Sequence, residues 1–495
     1  MAQSAFSIIT ELDRFLGRRA EGVFLVGGWV RDALLGRPNN DLDFSVTGDH
    51  VELARAVANH FGGAFVLLGT GNALARVILP DKAARRKPPT YLDFQPLRGE
   101  DLQADLAQRD FTINALALPL ARVKPGGEWM LEIIDPSGGR RDLEHRIVRA
   151  ASPKAFSQDP IRLIRAVRLA HQLGFQIEPI TWALLASGLG LLAGASPERI
   201  RDEFWHILSL FGAPAALRRL DELGLLTAII PELAALKGVT QPPEHHWDVF
   251  GHSVETVAGI EKLIGVFAGY RSRLVHWPRP LFQPLKGHFN EAISADHRRL
   301  PLLKLAALLH DIAKPETRSR EPDGRIRFLR HQLLGAEAAA EVMKRLRFSN
   351  QEIDVVRTVI ANHLRPRQLL DGPGLTGRAV YRFFRDTGPE GLDTLVLSLA
   401  DHLATRGPAL DRASWDKHMA LTVDMFRKYF AEKEKTVSPP RLLDGNDIMA
   451  VLGLEPGPLI GNLLEKVREA QAMGMVNNRA EALEYVREIT ANASP

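Results

Sequence analysis

The chain has 495 residues, with 63 Lys and Arg against 59 Asp and Glu, a net charge of +4. That length predicts three or four domains, and 45% hydrophobic with 25% charged residues is an ordinary globular composition. The absence of cysteine excludes disulfides, thiolate zinc, iron–sulfur clusters and a cysteine nucleophile, so any metal is held by His and carboxylates.

The N-terminal MAQSAFSIITELDRFLGRR carries Glu11 and Asp13 inside its apolar part and reads as an amphipathic helix, not a signal peptide. The longest nearly apolar stretch, Trp182 to Ala195, is too short to span a bilayer, and a cytoplasmic protein is expected. Short β-rich runs follow at 23–27, 42–46, 65–69 and 91–94, alternating with helical stretches. From about Ser152 the pattern is helical to the end. The fold class predicted is α+β, a small mixed sheet followed by all-helical domains. Turn-rich Asp135-Pro-Ser-Gly-Gly, Gln241-Pro-Pro and Val437-Ser-Pro-Pro mark boundaries, dividing the chain into 1–150, 151–240, 241–436 and 437–495. Residues 269–300 show no clear periodicity and read as an inserted loop of unassigned role.

In FLVGGWVRDALLG (24–36) a strand ends at Gly27 and Gly28, and a helix is expected from near Val30. The glycines permit close backbone approach to a phosphate, and the helix start offers free N–H groups. Asp41 and Asp43 lie two apart in the next strand, so both carboxylates share one face and suit two divalent cations. Asp93, in a later strand, is a candidate third carboxylate. Alone, such a D-x-D pair is usually a polar strand face. Its order with Gly-Gly and Arg31-Asp32 reverses that preference and points to a two-metal phosphoryl-transfer site.

Further motifs follow: Arg109-Asp-Phe-Thr-Ile-Asn-Ala-Leu, Asp135-Pro-Ser-Gly-Gly-Arg-Arg-Asp-Leu, Asp159-Pro-Ile-Arg162-Leu-Ile-Arg165-Ala and Ser196-Pro-Glu-Arg-Ile. Asp159-Pro160 reads as a helix start, with Asp159, Arg162 and Arg165 on one face at spacing three. Segment 140–168 holds eight Arg and Lys against three Asp and Glu, which suits triphosphate or RNA backbone.

Together these motifs resemble the class II tRNA nucleotidyltransferase and bacterial poly(A) polymerase family. The resemblance implies a nucleotidyltransferase head, a helical neck and template-independent addition of CMP and/or AMP to tRNA from CTP and ATP. It implies Mg²⁺ on Asp41 and Asp43, with Asp93 assisting. Nucleotide contacts are implied for Gly27, Gly28, Arg31, Arg109 and Arg165, with Asp159 and Arg162 reading the base. Gln158 stands where the family has Glu, and Gln108 where an arginine precedes Arg109; Gln158 is expected to orient Arg162 without a charge. The connection from Gln95 to Ala104 is short where family members that add the terminal A carry a longer loop. This resembles members adding CC only.

His252, His310-Asp311, His331, His363 and Asp401 are spread over a long helical region, and neutral imidazole with carboxylate suits divalent transition metals. The set resembles an HD-type metal phosphohydrolase domain. His252, His310, Asp311 and Asp401 match its basic ligands, and His331 and His363 the extra ligands of two-metal members, implying Mn²⁺, Ni²⁺, Co²⁺ or a similar ion. His245, His246 and His402 read as surface or core. The tail, with Gly457-Pro-Leu-Ile-Gly461, resembles the RNA-binding tail of tRNA nucleotidyltransferases. Two rivals remain at this point: a poly(A) polymerase acting on mRNA, and an HD phosphohydrolase whose head only binds RNA. Oligomeric state is not legible in the sequence.

Overall fold

Val23–Val26 forms β1, in which Val23, Leu25 and Val26 are buried, and the turn after it opens at Gly27. The computed structural model describes residues 5–69, 74–80, 90–124, 128–294, 297–372 and 375–491. They fall into two compact units, 1–196 with 223–225, and 197–222 with 226–495.

In the first unit, β1 is joined by β2 (Asp41–Val46), β3 (Ala64–Leu68), β4 (Leu74–Leu79), β5 (Thr90–Pro96) and β6 (Ala117–Pro119). The sheet order is β3-β4-β5-β2-β1-β6. Among the described strands of this sheet only β2 and β5 run parallel, and their register sets Asp43 opposite Asp93. Alternation along β2 buries Leu42, Phe44 and Val46, and Phe44 stacks on Phe94 of β5 with centroids 4.8 Å apart. The same alternation turns Asp41 and Asp43 to the opposite face. Helix His50–Phe61 makes the connection from β2 to β3, capped by Asp49 and ended by Gly62 at φ 64°.

The second unit is built largely of helices. Arg299–Leu309 is buried on nearly all sides, its apolar residues forming core and its two cations, Arg299 and Lys304, paired with Asp393 and Glu261. Val249–Ile264 packs against Glu390–Arg406 so closely that a Cβ on Gly259 would lie 2.9 Å from Ala400 Cα. A separate core of Leu443, Ile448, Ile460, Leu463, Val467 and Val486 holds the tail helices Gly445–Leu452, Pro458–Ala472 and Arg479–Ala491.

The α+β class matches expectation, with three local corrections. The helix after Gly27 begins at Gly28, ahead of Val30. The helix expected from Asp159-Pro160 begins at Arg162, because residues 160–161 form a tighter turn closed by Arg162 N–H on Asp159 O at 3.1 Å. Residues 269–300 are not a loop: Arg279–Phe289 is a helix burying Leu281, Leu285 and Phe289 at spacing four, a stripe masked by its prolines.

Candidate functional site

A cleft of about 570 Å³ opens on the carboxylate face of the head sheet. Gly27, Gly28, Arg31, Asp41, Asp43, Arg109 and Arg165 line it. Gly27 has φ 74°, and a Cβ there would sit 3.3 Å from Asp43 Oδ2 and 3.4 Å from Arg109 Nη1. Glycine keeps that space open. The Asp41 and Asp43 carboxylates accept no hydrogen bond from a described residue, whereas Asp93 is held by Arg76 at 2.7 and 2.8 Å. Burial and the neighbouring Asp93 charge push Asp43 up to about 6, and the same two causes raise Asp41. Two unsatisfied carboxylates crowded by a third fit a divalent cation, which relieves the repulsion.

The conserved-looking strings of the sequence are mutual supports. Arg31 makes a two-pronged pair with Asp32 and donates to Asn114 Oδ1 at 2.7 Å. Asn114 donates to Asp110 Oδ1 at 3.0 Å, and Asp110 Oδ2 lies 3.3 Å from Arg165. Burial raises Asp110, but Arg165 and Asn114 overcome it and hold the carboxyl below its usual range. Arg109 is fixed by fully buried Asp105 and by Ser45. Asp135 caps the Gly139 and Arg140 N–H groups, and a Cβ on Gly139 would lie 2.1 Å from Thr112 O. That string is therefore a buckle on the Arg109–Asn114 segment.

Arg162 departs from expectation. It is buried and donates to the backbone oxygens of Gln108, Arg109 and Ala155, with Asp159 3.9 Å away. Neither Arg162 nor Asp159 is among the described residues of the cleft wall, where Arg168 and Gln172 join Arg165 instead. Gln158 is exposed and does not orient Arg162. Arg76, Asn39, Asn114 and Arg168 were missed; the spacing of Arg165, Arg168 and Gln172 on one helical face was the available signal.

In the second unit the structure brings His252, His310, Asp311, His331, His363 and Asp401 together. Two trios have ligand atoms within 4.8 Å of one another: His252, His310 and Asp311, then Asp311, His331 and His363. Asp311 is common to both. Asp401 Oδ1 lies 3.0 Å from His252 Nε2. The Nδ1 atoms of His310, His331 and His363 lie 2.8, 2.6 and 2.7 Å from the carbonyls of Ala307, Phe328 and Ile360. A carbonyl only accepts, so each Nδ1 carries the proton, and in the neutral ring each Nε2 presents a lone pair. Without a metal, burial lowers His310 but Asp311 beside it outweighs this and raises it. Burial lowers His252 and His331 and takes His363 down to about 3, keeping them neutral. His331 Nε2 and both Asp311 oxygens are buried without a hydrogen-bond partner, although Lys314 Nζ lies 2.7 Å from Asp311 Oδ2. Lone pairs facing each other at this range fit metal ions. The adjoining cavity, about 520 Å³, is also lined by His245, His402 and His418. His245 and His402, expected from sequence to be surface or core, are therefore brought to the cavity wall.

Comparison with known proteins accords with these sites. Residues 23–149 match the poly A polymerase head domain, 174–237 the probable RNA and SrmB-binding site of polymerase A, and 287–406 the HD domain. An A-adding tRNA nucleotidyltransferase of Deinococcus radiodurans is 34% identical, over 94% of this chain and 95% of its own. This chain belongs to the tRNA nucleotidyltransferase family. A CC-adding tRNA nucleotidyltransferase of Geobacter sulfurreducens is 31% identical, over 97% and 94% of the two chains. The fold matches that of a CCA-adding enzyme complexed with ATP, at TM-score 0.63 and 22% identity over 98% and 95% of the two chains. As a tRNA nucleotidyltransferase it is a template-independent RNA-adding enzyme, and its head and HD domains are metal-dependent. No described helix is long and apolar enough to cross a membrane.

Proposed function

We propose that the protein adds CMP twice to the 3′ end of tRNA from CTP, releasing pyrophosphate, and leaves the terminal A to a second enzyme. The observation that carries the CC-only reading is the connection from β5 to Arg109. It is short and folded as helix Leu102–Ala107, and Asp105 pins it by accepting from Arg98 N–H and from Arg109. A segment so held does not remodel the pocket for a larger purine. Lys82 to Pro89, a segment that would stand in for a longer switching loop, lies outside the described residues. The Geobacter relative is CC-adding and the Deinococcus one A-adding, so the choice rests on this element.

Asp41 and Asp43 would hold Mg²⁺, which when bound would activate the RNA 3′-hydroxyl and neutralise the triphosphate. Asp93 sets the position of Arg76 and the charge around Asp43. Arg31, Arg109 and the backbone of Gly27 and Gly28 hold phosphate and sugar. Arg165 faces the base, and Asp159 with Arg162 secure the helix that carries it. The RNA 3′-oxygen bonds to the α-phosphorus, the bond to the β-phosphate oxygen breaks, and pyrophosphate departs. The setting is cytoplasmic.

Transcripts ending at the discriminator base, at C and at CC, each incubated with CTP or ATP, test the reading. Two C residues added to the first, and no A added to the third, are expected. Efficient A addition to the CC-ended transcript overturns CC-only addition. Extension beyond three nucleotides, or preference for mRNA, favours the poly(A) polymerase reading.

The shared Asp311 favours a second activity at the HD site. There His252, His310, Asp311, His331, His363 and Asp401 would hold Mn²⁺, Ni²⁺, Co²⁺ or a similar ion, which would supply hydrolysis of phosphate esters, cyclic phosphates at RNA ends among them. Arg325, Arg367 and Arg406 line that cavity and suit an anionic substrate.

A further inference from the structure

The helices Gly377–Thr387, Arg412–Ala431 and Pro458–Ala472 surround a third cavity, about 370 Å³, at the start of the tail. Its wall differs in kind from the other two: among the described residues it contains no carboxylate and no histidine. Tyr381, Phe384 and Tyr429 supply aromatic surface, and Arg385, Lys433 and Arg468 supply cations. Arg385 is neutralised by Glu465 and Asp386. Lys433 and Arg468 form no ion pair with a described carboxylate. Lys433 Nζ lies over the Tyr429 ring, 5.4 Å from its centroid, and Arg468 hydrogen-bonds the Tyr381 hydroxyl, which donates to Glu465 at 3.1 Å.

One wall is the π-helix Lys433–Val437, a wide turn that recurs at functional sites, and Ser438-Pro439 closes it. Uncompensated cations beside ring faces suit a ligand with both phosphate and base, in a volume typical of small-molecule sites.

We propose that this cavity binds one nucleotide, its phosphate between Lys433 and Arg468 and its base against Tyr429 and Phe384. The nucleotide is either a free mononucleotide or a residue of an RNA strand.

The test uses the full-length protein and two variants, Lys433→Glu at an exposed position and Arg468→Gln, which retains a donor for Tyr381. Matching melting temperatures establish that both fold. In the first arm, 8-azido-AMP is photolysed with each protein and labelled peptides are mapped. Labelling within 429–439 that AMP competes away, and that falls at least tenfold in Lys433→Glu, supports a mononucleotide site. In the second arm, filter binding of a tRNA transcript is followed against salt. At least fivefold weaker binding in both variants, with the log–log salt slope reduced by about one, supports an RNA residue. Absence of labelling within 429–439 together with unchanged tRNA affinity overturns the proposal.

Discussion

Asp43 lies at the foot of β2, with Gly27 leaving the space above it open and Asp93 adding a second negative charge beside it. Replacement by Asn keeps its shape and removes the charge that holds the cation. Asp43→Asn is therefore expected to lower CMP incorporation on the order of 10³-fold, with an unchanged circular dichroism spectrum. Labelled CTP incorporation checks it, and near-normal incorporation rejects the assignment. In the other unit, the buried lone pairs of His331 and Asp311 set the expectation for metal content. Purified protein should carry a divalent transition metal that is lost in His310→Ala with Asp311→Ala. Elemental analysis decides this; equal metal in wild type and variant sinks the site.

At the scale of elements, helix Asn350–Asn362 begins with a capping box, Ser349 N–H donating to Glu352 Oε2 at 2.7 Å. Burial raises Glu352, but hydrogen bonds with His297, Ser349 and Ser294 outweigh it and hold the carboxyl at about 2. A carboxyl lowered on folding contributes stability that is complete above its unfolded value near 4.5 and lost as pH falls towards 2. Glu352→Gln should cost about 2–3 kcal/mol at pH 7, and the difference from wild type should close between pH 4.5 and 2 in denaturant titrations. A gap independent of pH rejects this account. Gly259 couples packing to chemistry, because the helices it lets approach carry His252 and Asp401. Gly259→Ala should destabilise by about 1–3 kcal/mol and weaken HD metal binding, measured by thermal melts and metal titration. Unaltered metal affinity in a protein of lowered stability would show that the site does not depend on this approach.

At the scale of the whole molecule, each site is complete within its own unit: the head cleft in the first, the His and Asp cluster in the second. The two chemistries should separate. With His310→Ala and Asp311→Ala, labelled CTP should still enter tRNA at a rate within about twofold of wild type, because no ligand is shared. Retained incorporation excludes a phosphohydrolase whose head only binds RNA; loss of incorporation in that variant, with the fold intact, rejects the independence of the two sites.

Much was legible from local pattern alone. Strand alternation put Asp41 and Asp43 on one face before any fold was known, and the glycine pair marked the phosphate turn. The apolar run from Leu302 to Leu309 marked a helix, with His310-Asp311 at its end. Periodicity is a property of neighbours in sequence, so it reads such features directly. It does not reach partners brought together from far apart. Only the parallel register of β2 and β5 set Asp93 against Asp43, and only β4, pairing on its other side, brought Arg76 to it. Arg162 has the residue type and spacing of a base reader, yet tertiary packing turned it onto the carbonyls of Gln108 and Arg109 because a buried guanidinium needs acceptors. His402 and His418 lack ligand spacing and still enter the wall of the HD cavity, carried there by helix packing. Side-chain type and local face are written in the sequence; which distant groups satisfy, crowd or neutralise one another is decided by three-dimensional packing, where burial makes every unpaired charge and donor costly.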